Sequence, residues 1–190
     1  MKTMAKVVKA FNVKAVIYGE FERYKLFEQP VNIPNNRGKT GIRGHAENKE
    51  ESIRKSIQRA KDKIFGYILA NEWTYWATQT FAPDVLDRYN LDEIVQKYNR
   101  RLLYLKKKYD GLKWLIVPEQ HKDGAYHLHM FCYGIPQERI KDSGYTYFNK
   151  EKQFSRKVYN WIDTLDYGFN DYIYIGDCEP LERLKMAKYV

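Results

Sequence analysis

The stretch EQHKDGAYHLHMF, residues 119–131, carries two imidazoles one residue apart, His127 and His129, and a carboxylate, Glu119, across a turn. Imidazole nitrogens and a carboxylate oxygen form a mixed ligand set that can hold a divalent cation and still leave positions open for substrate. In an extended chain alternate side chains share a face, so the two histidines point the same way, about 7 Å apart along the strand. Tyr126, Leu128, Met130 and Cys132 then form the opposite, apolar face.

The position of Glu119 depends on the turn. A three-residue loop of Lys122, Asp123 and Gly124, with Gly124 left-handed, pairs His121 with Ala125 and sets Glu119 opposite His127. A two-residue Asp-Gly turn would set Gln120 there instead. The first register is preferred because it assembles a carboxylate and two imidazoles. Such a set suits Mn²⁺ or Mg²⁺ acting on phosphate, with Zn²⁺ also open. The plainer alternative is a pair of solvent-facing histidines, and His121 reads as a turn residue.

The elements that must position these groups follow from periodicity. Residues 6–27 mix β-branched, aromatic and lysine residues, a pattern of one or two strands, and PVNIPNNRGKTGIRG reads as a mobile basic loop. Asn48 with Glu51 forms a capping signal for a helix along which Ile53, Ile57, Ala60, Ile64 and Ile68 recur. WTYWATQTF alternates as a strand, with Trp73, Tyr75, Ala77, Gln79 and Phe81 on one face and Thr74, Trp76, Thr78 and Thr80 on the other.

A second helix is expected from about Leu91 to Tyr109. Leu91, Ile94, Val95, Tyr98, Leu102 and Leu105 form its apolar stripe, and Lys97, Arg101 and Lys108 share another face. Gly111 ends it, and LKWLIVPEQ and AYHLHMFCYG are the two strands of the histidine hairpin. Beyond Pro136 no period is sustained until DYIYIG, a further strand, and a closing helix from Glu179 to Val190 behind Pro180. The order predicts an α+β fold, an antiparallel sheet with flanking helices.

Composition narrows the partner. The 190 residues hold 33 Lys and Arg against 24 Asp and Glu, a net charge of +9, and 16% are aromatic, including 17 tyrosines. Cations on phosphates and rings on bases are how single-stranded nucleic acid is held. The bland alternative is a basic protein with a tyrosine-rich core. Cys132 and Cys178 are far apart without metal-ligand spacing, so neither a disulfide scaffold nor a zinc cluster is expected. No stretch approaches membrane-spanning length, so a soluble, cytoplasmic protein of a bacterial host cell is expected, with no membrane partner.

YWATQTF, then PEQHKDGAYHLHMF, then the closing KMAKYV resemble, in order and spacing, the three motifs of the HUH endonucleases. The resemblance is to replication initiators (Rep proteins) of rolling-circle plasmids and phages of Gram-positive bacteria. It covers roughly residues 48–190, including the ANEW lead-in and VYNW. It implies an HUH/Rep nuclease fold of the ferredoxin-like, split βαβ type. The expected division is an N-terminal arm and basic loop over 1–47 and a nuclease domain over 48–190.

The resemblance further implies that His127 and His129 hold a divalent metal, Mn²⁺ or Mg²⁺, with Glu119 as third ligand. The first-motif strand, Thr78 to Phe81, supports the site, and Thr78, Thr80, Lys97, Arg101 and Lys108 are the expected DNA contacts. Tyr189 is by position the nucleophile, and Lys185, one helical turn earlier, would stabilise its phenolate or touch the phosphate. Tyr172 and Tyr174 are the alternative nucleophiles. Many relatives carry Tyr-x-x-Lys-Tyr here, so a chain stopping at Val190 is expected to be cut off inside its active-site helix.

The implied reaction is site-specific nicking and joining of single-stranded DNA through a 5′-phosphotyrosine, starting rolling-circle replication. The substrate would be an origin strand, with a hairpin possible and a host helicase or polymerase as further partners. A relaxase or transposase of the same chemistry, a noncatalytic single-strand binding module and a zinc hydrolase on the same ligands are the alternatives.

Overall fold

The computed structural model describes residues 9–33, 48–149 and 154–189. Contacts divide the chain into two compact units, Met1–Asn71 and Glu72–Val190.

In the first unit, β1 (Lys9–Tyr18) and β2 (Phe21–Ile33) form an antiparallel hairpin. Gly19 turns it with φ 59°, a conformation that a side chain would strain. Pro30 to Ile33, expected in a loop, extend β2, and the rest of that loop lies outside the described residues. Helix α1 (Lys49–Ala70) starts where the capping signal places it, with the Asn48 side chain accepting a bond from the Glu51 amide at 2.9 Å. Such a cap contributes about 1 kcal/mol. Tyr18 packs edge-on against Phe65 at 5.9 Å, and Arg23 pairs with Asp62 at 2.9 Å. The apolar stripe is buried only near its C-terminal end, at Ile68. Ile53 and Ile57 are exposed.

The second unit contains a six-stranded sheet in the order β4-β5-β3-β8-β7-β6, with every pairing antiparallel. Its strands are β3 (Tyr75–Gln79), β4 (Lys113–Gln120), β5 (Tyr126–Tyr133), β6 (Ile140–Asn149), β7 (Phe154–Trp161) and β8 (Asn170–Tyr174). Helices α2 (Leu91–Lys108) and α3 (Pro180–Tyr189) flank it, so the α+β expectation with an antiparallel sheet holds. Strands β6 and β7 go beyond that expectation. Their pairing shifts register between Asp142 and Thr146, and Gly144 there has φ 78°, so no unbroken alternation marks them in the sequence.

One face of the sheet carries the core. Tyr75, Ala77, Leu128, Met130, Cys132 and Tyr172 pack against Ile94, Tyr98, Leu102 and Leu105 of α2, which are fully buried. Each buried leucine contributes roughly 1.5–3 kcal/mol relative to an exposed one. The Tyr98 hydroxyl donates to Gln79 Oε1 at 3.1 Å, so the one amide on this face is satisfied. At the far end of α2, Asp163 accepts from both arms of the Arg139 fork, at 2.6 and 2.9 Å, and from Tyr109 and Trp161. Among the described residues no helix is long and apolar enough to cross a membrane.

Candidate metal centre

The β4–β5 hairpin closes through Lys122, Asp123 and Gly124. The His121 amide donates to the Ala125 carbonyl at 2.8 Å, and Gly124 takes φ 89°. This is the three-residue register, and it sets Glu119 opposite His127. β5 also pairs with β3, where His129 meets Thr78. Because these positions alternate with Leu128, Met130 and Ala77, all four side chains stand on the sheet face opposite the α2 core.

Three donor atoms converge on that face. Nε2 of His127 lies 3.0 Å from Nε2 of His129, and Glu119 Oε2 lies 3.0 Å from the first and 2.5 Å from the second. Among the described residues this is the group whose side chains could hold a metal ion. Lone-pair atoms so close repel unless a proton or a cation lies between them. Two adjacent ligands at right angles, each about 2.1 Å from a common cation, are themselves roughly 3 Å apart. The donor set therefore fits a divalent ion.

The surroundings favour the ligating forms. Both imidazoles are buried, while the Glu119 side chain is half exposed. Hydrogen bonding, led by His129, holds the Glu119 carboxyl below its ordinary range, so it is ionised at neutral pH. Burial, then the neighbouring His129 and His121, push the His127 imidazole down. The pull of Glu119 in the opposite direction is outweighed, so His127 is neutral with a lone pair available. The Thr78 hydroxyl lies 3.4 Å from Nδ1 of His129, where it can accept that nitrogen's proton and leave Nε2 free to ligate.

The face is walled by aromatic rings. Trp76 stacks on His129 at 6.1 Å and 26°, and His121 stands edge-on to His127 at 4.1 Å. Tyr189, at the end of α3, lies with its ring 5.6 Å from His129 and 5.9 Å from Trp76, edge-on to both. An open cleft of about 620 Å³ is lined by Glu119, His121, Lys122, His127 and Tyr189. The side chains thus combine a cation-holding trio, an exposed phenol and a lysine around one solvent-filled space.

The remaining residues singled out from sequence fall elsewhere. Lys185 lies one turn before Tyr189 and is exposed. The Thr80 hydroxyl donates to the Phe169 carbonyl at 2.9 Å, which ties β3 to the start of β8. Lys97, Arg101 and Lys108 lie on α2, across the sheet from the trio. Lys97 pairs with Glu93 at 2.6 Å, Arg101 donates to the Asp163 carbonyl at 2.8 and 3.0 Å, and Lys108 sits over the Tyr109 ring. Tyr172 is fully buried on the core face, and Tyr174 packs on that face against Tyr75, so neither reaches the trio's face.

Fold and site together define an α+β protein with an antiparallel sheet and a two-histidine, one-glutamate metal site on its helix-poor face. The model of the replication-associated protein ORF2 family matches residues 74–177, more than half of the chain, and the protein belongs to that family. The match takes in Thr78, Glu119, His127 and His129 and ends before α3. Comparison with curated proteins and with solved structures finds no match.

Proposed function

We propose that this protein is a metal-dependent nicking and joining enzyme that initiates rolling-circle replication of a plasmid or phage, built on an HUH-type sheet. The observation that carries this reading is the Tyr189 ring edge-on to His129, in one cleft with Glu119 and His127, in a chain of a replication-associated family. The catalytic domain in this reading runs from residue 48, after an arm and basic loop over 1–47. All of its site residues fall in the compact unit Glu72–Val190.

A phosphodiester resists nucleophiles because its nonbridging oxygens are anionic. A divalent cation, Mn²⁺ or Mg²⁺, held by Glu119, His127 and His129 would offset that charge. The chain supplies the rest. Tyr189 presents its phenol oxygen to the phosphorus in line with the 3′ oxygen, the new O–P bond forms, and the 3′ oxygen departs as a free hydroxyl. Tyr189 then carries a 5′ phosphate whose ester energy is retained, so a returning 3′ hydroxyl can reseal the strand. Lys185, on the same helical face, is placed to balance charge on the phenolate or the phosphate. Single-stranded origin DNA is the substrate in this reading. Thr78 and Thr80 approach it on the sheet, and Lys97, Arg101 and Lys108 offer a second basic surface across the sheet.

The test is a denaturing gel of the protein with labelled single-stranded oligonucleotides in Mn²⁺, with and without EDTA. A slow-migrating covalent band that needs metal and vanishes in Tyr189→Phe is expected. A band that persists in Tyr189→Phe would move the nucleophile elsewhere. DNA binding without any band would favour a noncatalytic single-strand binder.

A further inference from the structure

Helix α3 has little apolar hold on the sheet, since Ala187 is the one buried residue among its ten. A helix this short is marginal unless tertiary contacts fix it. Its far end bears Tyr189, while its near end meets one side chain from a strand that the sequence did not announce. Arg156, on β7, donates from Nη1 to the Tyr174 carbonyl at 2.9 Å and to Asp177 Oδ1 at 2.7 Å. From Nη2 it donates to Glu182 Oε2 at 3.4 Å. One guanidinium therefore joins the last residue of β8, the connection after it and the first turn of α3. Its side chain is 19% exposed and that of Glu182 23%, so water competes weakly for these bonds.

We infer that Arg156 is the positioning residue that aims Tyr189 at the metal face by fixing the angle at which α3 leaves β8. The inference rests on the reading of Tyr189 as nucleophile. Seven residues separate Glu182 from Tyr189, a lever of roughly 10 Å along the helix axis. A tilt of about 10° at the clamp swings the phenol by nearly 2 Å, and a displacement of about 1 Å can cost a hundredfold in rate. Arginine suits the task because its planar fork holds several acceptors in fixed directions, whereas a lysine ammonium is a point charge on a flexible stem. The backbone carbonyl and the two carboxylates lie in three different segments, so losing the fork frees the whole connection.

The experiment uses the full chain, Mn²⁺ and labelled single-stranded oligonucleotides. Arg156→Ala is expected to slow adduct formation at saturating DNA at least tenfold, with oligonucleotide and Mn²⁺ affinities within twofold of the parent. Arg156→Lys should not restore the rate. Glu182→Ala should slow the reaction too, and the double variant should be no slower than the slower single one, because both act through one contact. Hydrogen exchange of the α3 amides should quicken in Arg156→Ala while β3 and β5 stay protected. A parental rate with unchanged α3 exchange, or a loss confined to DNA affinity, would overturn the inference. Should the parent form no adduct, the nuclease reading fails while the exchange measurement still judges the clamp. If Arg156→Ala does not fold, Asp177→Asn with Glu182→Gln removes both carboxylates and is judged by the same criteria.

Discussion

The Thr78 hydroxyl stands 3.4 Å from Nδ1 of His129, on the neighbouring strand and in direct register with it. That pairing makes a first-motif residue the outer support of a ligand in the second. Thr78→Val keeps the shape and removes the acceptor. Mn²⁺ affinity by isothermal titration is expected to fall about tenfold, as is usual for the second partner of a ligating histidine. Unchanged affinity would show that the hydroxyl does not orient the ring.

His127→Ala with His129→Ala leaves Glu119 alone on the face. The Mn²⁺-dependent rise in Tm should disappear, since a ligand that binds only the folded state stabilises it by mass action. The melting temperature in EDTA should stay near the parental value, and so should binding of single-stranded DNA. A thermal shift by Mn²⁺ that survives the double substitution would place the ion elsewhere.

Asp163 is a structural carboxylate. Burial alone would push its carboxyl up, but the Arg139 fork, with Tyr109 and Trp161, holds it below the usual range. A carboxyl lowered on folding contributes stability that is complete above its unfolded value and is lost as pH falls through its folded value. Asp163→Asn leaves Arg139 without its counter-ion and is expected to cost about 3–5 kcal/mol at neutral pH. In urea titrations the gap between parent and variant should narrow as pH falls through the carboxylate range. A gap that is constant with pH would sink the ion-pair account.

Gly168 joins the turn after β7 to β8 with φ 132°, and a Cβ there would lie 2.6 Å from the Thr80 carbonyl oxygen and 2.7 Å from the Ala82 amide. Both neighbours are backbone and cannot step aside. Gly168→Ala should destabilise the protein by about 2 kcal/mol or more, read from the urea midpoint at unchanged slope. Its effect should extend to the site, because Thr80 bonds the next residue, Phe169, and β3 carries Thr78.

The trio and its turn were legible in the residues alone because a strand repeats every two residues and a hairpin register follows from its loop. Gly124 after Lys122 and Asp123 was enough to set Glu119 against His127. The stripe from Ile94 to Leu105 likewise announced α2. The same stripe could not say which side of the sheet α2 would cover, and Lys97, Arg101 and Lys108 lie across the sheet from the histidines. Periodicity tells which side chains share a face, not what packs over that face. β6 and β7 gave no signal because a bulge at Gly144 breaks their alternation and much of their surface is exposed. Arg156 and Glu182 stand 26 residues apart, on a strand and a helix that touch only when the sheet is complete. The aim of Tyr189 therefore belongs to long-range contacts, whereas the ligands it faces belong to one local hairpin.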